Sequence, residues 1–174
     1  MEIDTERLHL RPLAMSDAPD LLSLQQDPEM MRYFADGHTY LPDESRAWLQ
    51  WHVEMWDLVG YGFWAIERQP ERGFIGWTGV SKVWTPPDLM PSAEVGWFIE
   101  RRSWGQGLAT EGARQALAFA FGPLNMSRVI ARYRSDNPAS GRVMTKVGMH
   151  LWREDPCPHA PEATIRIFEK LATP

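Results

Sequence analysis

Apolar and polar residues alternate in several short segments of the chain, a pattern that predicts half-buried β-strands. The alternation is clear near the N-terminus, where Leu8 and Leu10 stand between polar neighbours and the segment ends at Pro12. Alternation, together with enrichment in aromatic and β-branched residues, predicts further strands along the rest of the chain. The predicted strands are 3–11, 62–67, 74–83, 94–100, 128–134, 149–153 and 164–170.

Four helices are predicted where apolar residues recur at spacings of three and four and capping residues stand at the ends. Ser16-Asp17 is typical of a helix start, and Asp27-Pro28 of a stop. The predicted helices run from about 16 to 26, 43 to 58, 107 to 121 and 137 to 147, and the packed face of the second is predicted to hold Trp48, Trp51, Met55 and Leu58.

The order β-α-α-β-β-β-α-β-α-β-β predicts an α+β fold with a largely consecutive central sheet. A chain of 174 residues with 44% hydrophobic residues can bury one sizeable core but hardly two. The sequence shows no internal repeat and no interdomain linker. We therefore expect a single domain over residues 1–174.

Charge and composition narrow the range of partners and of compartments. The 18 basic and 23 acidic residues give a net charge of -5 without any basic run, which argues against nucleic acid as the main partner. The N-terminus has neither the basic nor the apolar region of a signal peptide, and no apolar run is long enough to span a bilayer. The single Cys157 excludes an intrachain disulfide, and the five histidines show no metal-ligand spacing. We expect a cytoplasmic protein without a membrane partner or a metal.

The stretch RRSWGQGLATEG, residues 101–112, joins a predicted strand to the helix 107–121. The first N–H groups of a helix lack partners within it, and the helix dipole favours an anion there. Gly105 and Gly107 leave the backbone open to a phosphate. A nucleotide-triphosphate loop would need a lysine-hydroxyl pair, and a dinucleotide fingerprint would need a glycine in place of Thr110. The pattern that remains is Gln/Arg-x-x-Gly-x-Gly/Ala, which begins at Arg102.

Three segments, taken together and in this order, resemble the GNAT N-acetyltransferases, and within them the RimJ/RimL-type enzymes that acetylate the N-termini of ribosomal proteins. They are TERLHLRPL (5–13), EVGWFIERRSWGQGLATEG (94–112) and NPASGRVMTKVGM (137–149). The resemblance covers almost the full chain. It implies a mixed, mostly antiparallel sheet with a V-shaped split between two parallel strands, 94–100 and 128–134, flanked by about four helices. It also implies that acetyl-CoA (coenzyme A) lies in the split.

The resemblance also assigns cofactor contacts, residue by residue. In this family the strand before the loop pairs with pantetheine, the loop receives the pyrophosphate, and the following helix start touches the cofactor. Arg142 or Lys146 could meet the outer phosphate, and nothing in the sequence chooses between them. The implied cofactor residues are Trp97, Phe98, Ile99, Arg102, Gly105, Gln106, Gly107, Ala109, Thr110, Asn137, Ser140, Arg142 and Lys146.

The chemistry of amine acetylation adds a requirement for proton transfer. An amine attacks only when neutral, and its pKa lies near ~8 for an α-amine or ~10.4 for a lysine-like amine, so a base is useful. The resemblance implies Glu94 as that base, and Ser140 is our candidate to protonate the leaving thiolate. Many other enzymes of the family use a tyrosine of this helix for that role, and residues 137–148 hold none. Other readings stay open: Glu94 on an exposed strand face, Asn137 and Ser140 as helix-start residues, and a capping box from Ser103 to Gln106.

The acceptor amine is not determined by the sequence. Segments that line the acceptor groove in the family contain Tyr33, Phe34, Trp48, Trp77 and Trp84, although tryptophans are mostly core residues. We expect direct transfer in a ternary complex to a protein N-terminus or a small-molecule amine, and a homodimer is compatible with the sequence. The alternatives are a non-catalytic acyl-CoA-binding module and an acyltransferase that uses another acyl group.

Overall fold

The computed structural model describes residues 1–83 and 93–172 of the chain. Within these ranges it has the predicted α+β composition, with strands and helices in nearly the predicted order. The strands are β1 (Ile3–Asp4), β2 (Leu8–Pro12), β3 (Phe63–Arg68), β4 (Gly73–Lys82), β5 (Ala93–Ile99), β6 (Arg128–Arg134), β7 (His150–Pro156) and β8 (Thr164–Leu171). The helices are α1 (Ala18–Gln25), α2 (Pro28–Met31), α3 (Pro42–Val59), α4 (Leu108–Phe121) and α5 (Pro138–Lys146), with 3-10 turns at Met15–Asp17 and Arg101–Ser103.

The eight strands form one mixed sheet in the order β1-β2-β3-β4-β5-β6-β8-β7. Strands β5 and β6 are its parallel pair, joined through Ala93 with Val129 and Glu94 with Ile130. This ladder lies at the start of both strands. The predicted fold class is confirmed, with five α-helices in place of about four.

By its internal contacts the chain divides into two compact units. The first unit consists of Met1–Gly79 and Trp97–Gly112, and the second of Val80–Gly96 and Ala113–Pro174. The single domain expected from the length stays a prediction. The core of the first unit is a cluster of Leu13, Leu21, Met30, Met31, Leu49, Phe63, Ala65, Trp77 and Phe98. The second unit has smaller clusters, one of Val83, Ile130 and Ile167 and one of Cys157, Ala160 and Ala163.

The N-terminal strand predicted over 3–11 is wrong in its continuity, because a turn at Thr5 divides it into β1 and β2. The Thr5 backbone N–H donates to the Leu8 carbonyl over 2.9 Å, and the Leu8 N–H donates to the Thr5 hydroxyl oxygen over 2.9 Å. A hydroxyl that bonds to nearby backbone competes with the hydrogen bonds of the sheet. The strand is therefore interrupted, although apolar and polar residues keep alternating in the sequence.

Helix α2 was not predicted, because Asp27-Pro28 was interpreted only as the end of a helix. The Asp27 carboxylate also starts the next helix, since its Oδ1 accepts a hydrogen bond from the Glu29 N–H over 2.9 Å. Aspartate before proline is a favourable N-cap, because proline fits the first helical position. The same dipeptide thus ends α1 and begins α2.

The predicted extent of α3 is confirmed. Of the four residues predicted for its packed face, Met55 is buried and Trp48 packs against the core cluster, but Trp51 and Leu58 are wrong. Trp51 is 49% exposed and Leu58 is 64% exposed, whereas Leu49 is fully buried. At about 100° per residue, Trp51 and Leu58 both lie roughly opposite Leu49 on the helix. The helix ends as predicted at Gly60, whose φ of 81° is left-handed.

None of the helices in the described part of the chain is long and apolar enough to cross a bilayer.

Candidate functional site

The loop between β5 and α4 begins with a buried carboxylate that fixes its first turn. Glu100 is 8% exposed and accepts hydrogen bonds from the Ser103 hydroxyl (2.8 Å) and the Arg102 Nε (2.6 Å). Its backbone N–H donates to the carbonyl of Ile75 on β4 over 2.8 Å. The Gln106 side chain donates to the Arg102 carbonyl over 2.9 Å, so Ser103 and Gln106 do not form the capping box considered as an alternative.

Both predicted glycines of this loop are left-handed, with φ of 74° at Gly105 and 81° at Gly107. Among the described residues, a Cβ at Gly105 would meet no atom within 4 Å, and one at Gly107 would meet only the Arg7 Nη2, at 3.6 Å. Backbone conformation, rather than crowding, therefore favours glycine at both positions. The described residues leave room beside both glycines for a ligand.

Helix α4 begins directly after Gly107, so its first N–H groups lie at the end of the loop. The Glu111 N–H donates to the Gly107 carbonyl over 3.0 Å, the first bond of the helical pattern. The amides of the first turn, which includes Ala109 and the buried Thr110, have no earlier carbonyl within the helix. With the open glycine backbone, they fit an anion such as a pyrophosphate.

A cluster of polar side chains ties this loop to the N-terminal segment in the first unit. The Glu111 Oε1 accepts from the Thr5 hydroxyl (2.6 Å) and the Arg7 N–H (3.0 Å). The Arg7 Nε and Nη2 lie 2.8 and 2.6 Å from the Glu111 Oε2, and its Nη1 donates to the Gln106 carbonyl over 2.8 Å. Burial raises the pKa of Glu111, but the hydrogen bonds from Thr5 and Arg7 outweigh it, so the pKa lies below its ordinary value.

An aromatic cluster in the first unit brings together three of the predicted acceptor residues. The ring of Phe34 lies 6.3 Å from Trp48 and 6.1 Å from Trp77, and Trp48 lies 5.3 Å from Trp77. Trp77 is 4% exposed and stacks on Phe98 at 5.8 Å, so both belong to the core. Among the described residues, no atom accepts a hydrogen bond from the Trp77 indole N–H.

The other two predicted acceptor residues are Tyr33 and Trp84. The guanidinium of Arg32 lies over the Tyr33 ring, 5.3 Å from its centre. Trp84 lies outside the described residues.

His52 packs its imidazole among the same rings, 4.0 Å from Trp48 and 4.5 Å from Phe63. Burial lowers the pKa of His52 to about 4. An unfolded chain binds this proton near pH ~6.5, so stability should fall as the pH drops from about 6.5 to about 4. On acidification, the free energy of unfolding of His52→Phe should therefore fall by up to about 3 kcal/mol less than that of the wild type. Urea unfolding at pH 7 and pH 4.5 measures it, and an unchanged difference between the two would contradict the prediction.

Glu94 is paired with an arginine of the neighbouring strand in the second unit. Its Oε1 lies 3.0 Å from the Arg132 Nε and its Oε2 lies 2.5 Å from the Arg132 Nη2. Arg132 stands two residues after Ile130, the register partner of Glu94, and therefore on the same face of the sheet. The hydrogen bond that Arg132 donates to Glu94 raises the pKa of Arg132. The pair is 20% and 37% exposed, so Glu94 is neither buried nor on a fully exposed face.

Asn137 and Ser140 meet at the start of α5 in the second unit. The Asn137 Oδ1 accepts from the Ser140 N–H (3.4 Å), and the Asn137 Nδ2 donates to the Ser140 Oγ (3.2 Å). Asn137 is thus an N-cap. Because Ser140 Oγ accepts from Asn137, its own proton is available for another acceptor.

One tyrosine that sequence reasoning missed lies against the same helix. A Cβ at Gly141 would come within 2.6 Å of the Tyr133 hydroxyl, so this glycine makes room for the phenol. The glycine inside a predicted helix was the available signal. Arg142 and Lys146 of the same helix are exposed.

Among the residues that the structure describes, His, Cys, Asp and Glu form no cluster of three or more that could hold a metal ion.

This fold, with a glycine loop between β5 and α4, is the one that the sequence resemblance implies for an acetyltransferase. The acetyltransferase (GNAT) domain model matches residues 7–150, so the chain belongs to the GNAT acetyltransferase family. The chain is similar to FsC-acetyl coenzyme A-N(2)-transacetylase of Aspergillus fumigatus, 32% identical over 152 residues, which cover 84% of this chain. The match covers 64% of the length of that relative, less than two thirds.

Two solved structures show the same fold. A GNAT-family acetyltransferase from Bacillus anthracis has a TM-score of 0.83, with 23% identity and 98% of each chain covered. The second is RimL, an alpha-N-protein acetyltransferase that acts on a ribosomal protein, solved in complex with coenzyme A. It has a TM-score of 0.82 and 17% identity, and the alignment covers 99% of this chain and 98% of RimL. The family predicted from the sequence is confirmed, and RimL is among the proteins whose fold it shares.

Proposed function

We propose that the protein transfers an acetyl group from acetyl-CoA to a primary amine, by direct attack in a ternary complex. The observation that carries this proposal is the loop Arg102–Gly107, in which two left-handed glycines expose the backbone before the start of α4. Family membership supports it, because it assigns acetyl transfer to a fold with this loop. In the proposed complex the loop and the first turn of α4 receive the pyrophosphate, and the backbone of 97–99 pairs with pantetheine.

In the proposed reaction the amine nitrogen forms a bond to the acetyl carbon, and the carbon–sulfur bond of the thioester breaks. The proton of the amine goes to Glu94, directly or through water, and the thiolate takes a proton to leave as free CoA. Both carboxylate oxygens of Glu94 contact Arg132, so the pair must open, or act through water, for Glu94 to accept a proton. Ser140 has a hydroxyl proton to donate, because its oxygen accepts from Asn137.

The acceptor is proposed to be a protein N-terminus or a small-molecule amine. The names of the fungal relative and of RimL both specify transfer to a nitrogen. The net charge of -5 favours the approach of a cationic amine, although charge steers encounter and does not identify a ligand.

The test is release of free CoA thiol from acetyl-CoA, measured against peptides with a free N-terminus, polyamines, amino acids and aminoglycosides. The same peptides with a blocked N-terminus are the matched control. We expect release with one acceptor class and none with the control. Thermal unfolding with and without acetyl-CoA is measured in parallel, since a bound ligand raises the melting temperature.

The other results would point to different functions. Stabilisation by acetyl-CoA without release for any acceptor would favour a non-catalytic acyl-CoA-binding module. Faster release from a longer acyl-CoA would favour an acyltransferase for another acyl group. Neither stabilisation nor release would overturn the proposal.

A further inference from the structure

We propose that Arg7, held by Glu111, is a positioning residue that fixes the phosphate-binding loop from outside. The inference rests on the proposed function, since it assigns a role to residues that touch the loop without belonging to it. It concerns contacts within the first unit alone.

The Arg7 guanidinium bridges the loop and the first turn of α4. Its Nη1 donates to the carbonyl of Gln106, the residue between the two glycines, over 2.8 Å. Its Nη2 lies 3.6 Å from where a Cβ of Gly107 would stand. The same guanidinium pairs with Glu111 through Nε and Nη2. One planar group therefore contacts both ends of the segment 106–111, whose amides are proposed to bind the pyrophosphate.

The loop needs such support because its glycines are permissive. Gly105 and Gly107 adopt a left-handed conformation, but glycine populates other conformations about as readily, and ordering it costs more entropy than ordering any other residue. A loop already held by Arg7 loses less freedom when a ligand binds, and affinity rises accordingly.

Charge gives Arg7 a second effect on the same site. Glu111 stands in the first turn of α4, where a carboxylate competes with a bound phosphate for the helix N-terminus. The Arg7 guanidinium, 2.6 Å from the Glu111 Oε2, offsets that negative charge. Thr5 and the Arg7 backbone N–H hold the other oxygen of the carboxylate. Removing Arg7 should therefore lower the affinity for acetyl-CoA more strongly when Glu111 keeps its charge than when it does not.

The experiment is a double-mutant cycle of Arg7→Met and Glu111→Gln, with acetyl-CoA binding measured by calorimetry. We expect Arg7→Met to weaken binding about tenfold, since hydrogen bonds to charged groups are lost. The double variant should bind better than Arg7→Met, because the unpaired carboxylate is gone. Arg7→Lys should recover part of the affinity, since a lysine keeps the charge but not the planar fork.

A second ligand separates positioning from general damage to the fold. Acetyl-pantetheine lacks the pyrophosphate, so its binding, followed by ligand-observed NMR, should be unchanged in Arg7→Met. The control variant is Arg72→Met, which removes another half-exposed arginine of the first unit, paired with Asp4 at 3.8 Å. It should bind both ligands like the wild type.

The outcomes distinguish this inference from the proposed function. If the wild-type protein does not bind acetyl-CoA, the proposed function fails. If the wild type binds and Arg7→Met binds equally well, only the positioning role of Arg7 is overturned. Equal weakening for acetyl-CoA and acetyl-pantetheine would also overturn it, because the effect would then not concern the phosphate loop.

Discussion

Replacing Gly107 by glutamate should weaken acetyl-CoA binding by at least about a hundredfold, which corresponds to about 2.7 kcal/mol. The new carboxylate would stand where the loop backbone is open, beside the amides of the first turn of α4, and would repel a pyrophosphate. The φ of 81° adds strain for any side chain with a Cβ. Calorimetric titration with acetyl-CoA measures the loss, and unchanged affinity would contradict the assignment of the loop.

Gly60 provides a matched control for this substitution. It also has a φ of 81°, at the end of α3, and a Cβ there would meet no atom within 4 Å. Gly60→Glu should therefore carry a similar strain cost, roughly 1 kcal/mol, without placing a charge at the loop. We expect both variants to lose comparable thermal stability and only Gly107→Glu to lose acetyl-CoA binding.

Glu94→Gln should lower the turnover number by about a hundredfold or more, which is the usual contribution of a general base. The amide keeps the shape of the side chain and can still bond to Arg132, but it cannot take a proton from the amine. The loss should shrink as the pH rises toward the pKa of the acceptor, near ~8 for an α-amine, because the amine then deprotonates unaided. The affinity for acetyl-CoA should stay within about twofold of the wild-type value, since the substitution removes no interaction that is made equally in the ground state and the transition state.

A purely structural role of Glu94 predicts a different result. The loss of turnover would then be independent of pH, because a misplaced strand does not recover when the amine deprotonates. Glu154→Gln is the matched control: Glu154 on β7 accepts from the Arg166 Nε over 2.8 Å in the same unit. We expect that variant to keep the wild-type rate at every pH tested.

Local pattern was enough to predict most elements of the fold. Strand β6 has the predicted bounds, because alternation along 128–134 and the turn residues around it agree. The two residues wrongly predicted for the packed face of α3 have a physical cause. Trp51 and Leu58 are apolar but exposed, and spacing alone cannot tell which of two apolar stripes is buried.

The candidate site was less accessible to sequence reasoning than the fold. The loop 102–107 could be predicted because its chemistry is contiguous in the chain. The partner of Glu94 could not be predicted from the sequence, since its pairing with Arg132 depends on the register of two parallel strands that are far apart in the sequence. The hydroxyl of Tyr133 beside Gly141 depends likewise on how α5 packs on β6.

The contact between Arg7 and Glu111 spans 104 positions of the chain, which has a consequence for folding kinetics. Contacts so distant in sequence form only after a long loop has closed, and topologies rich in them fold slowly. The phosphate-binding segment therefore cannot gain its final geometry from its neighbours alone. During refolding we expect hydrogen-exchange protection of the Glu111 amide, which donates to the Gly107 carbonyl, to appear together with that of β2, and later than that of the body of α4.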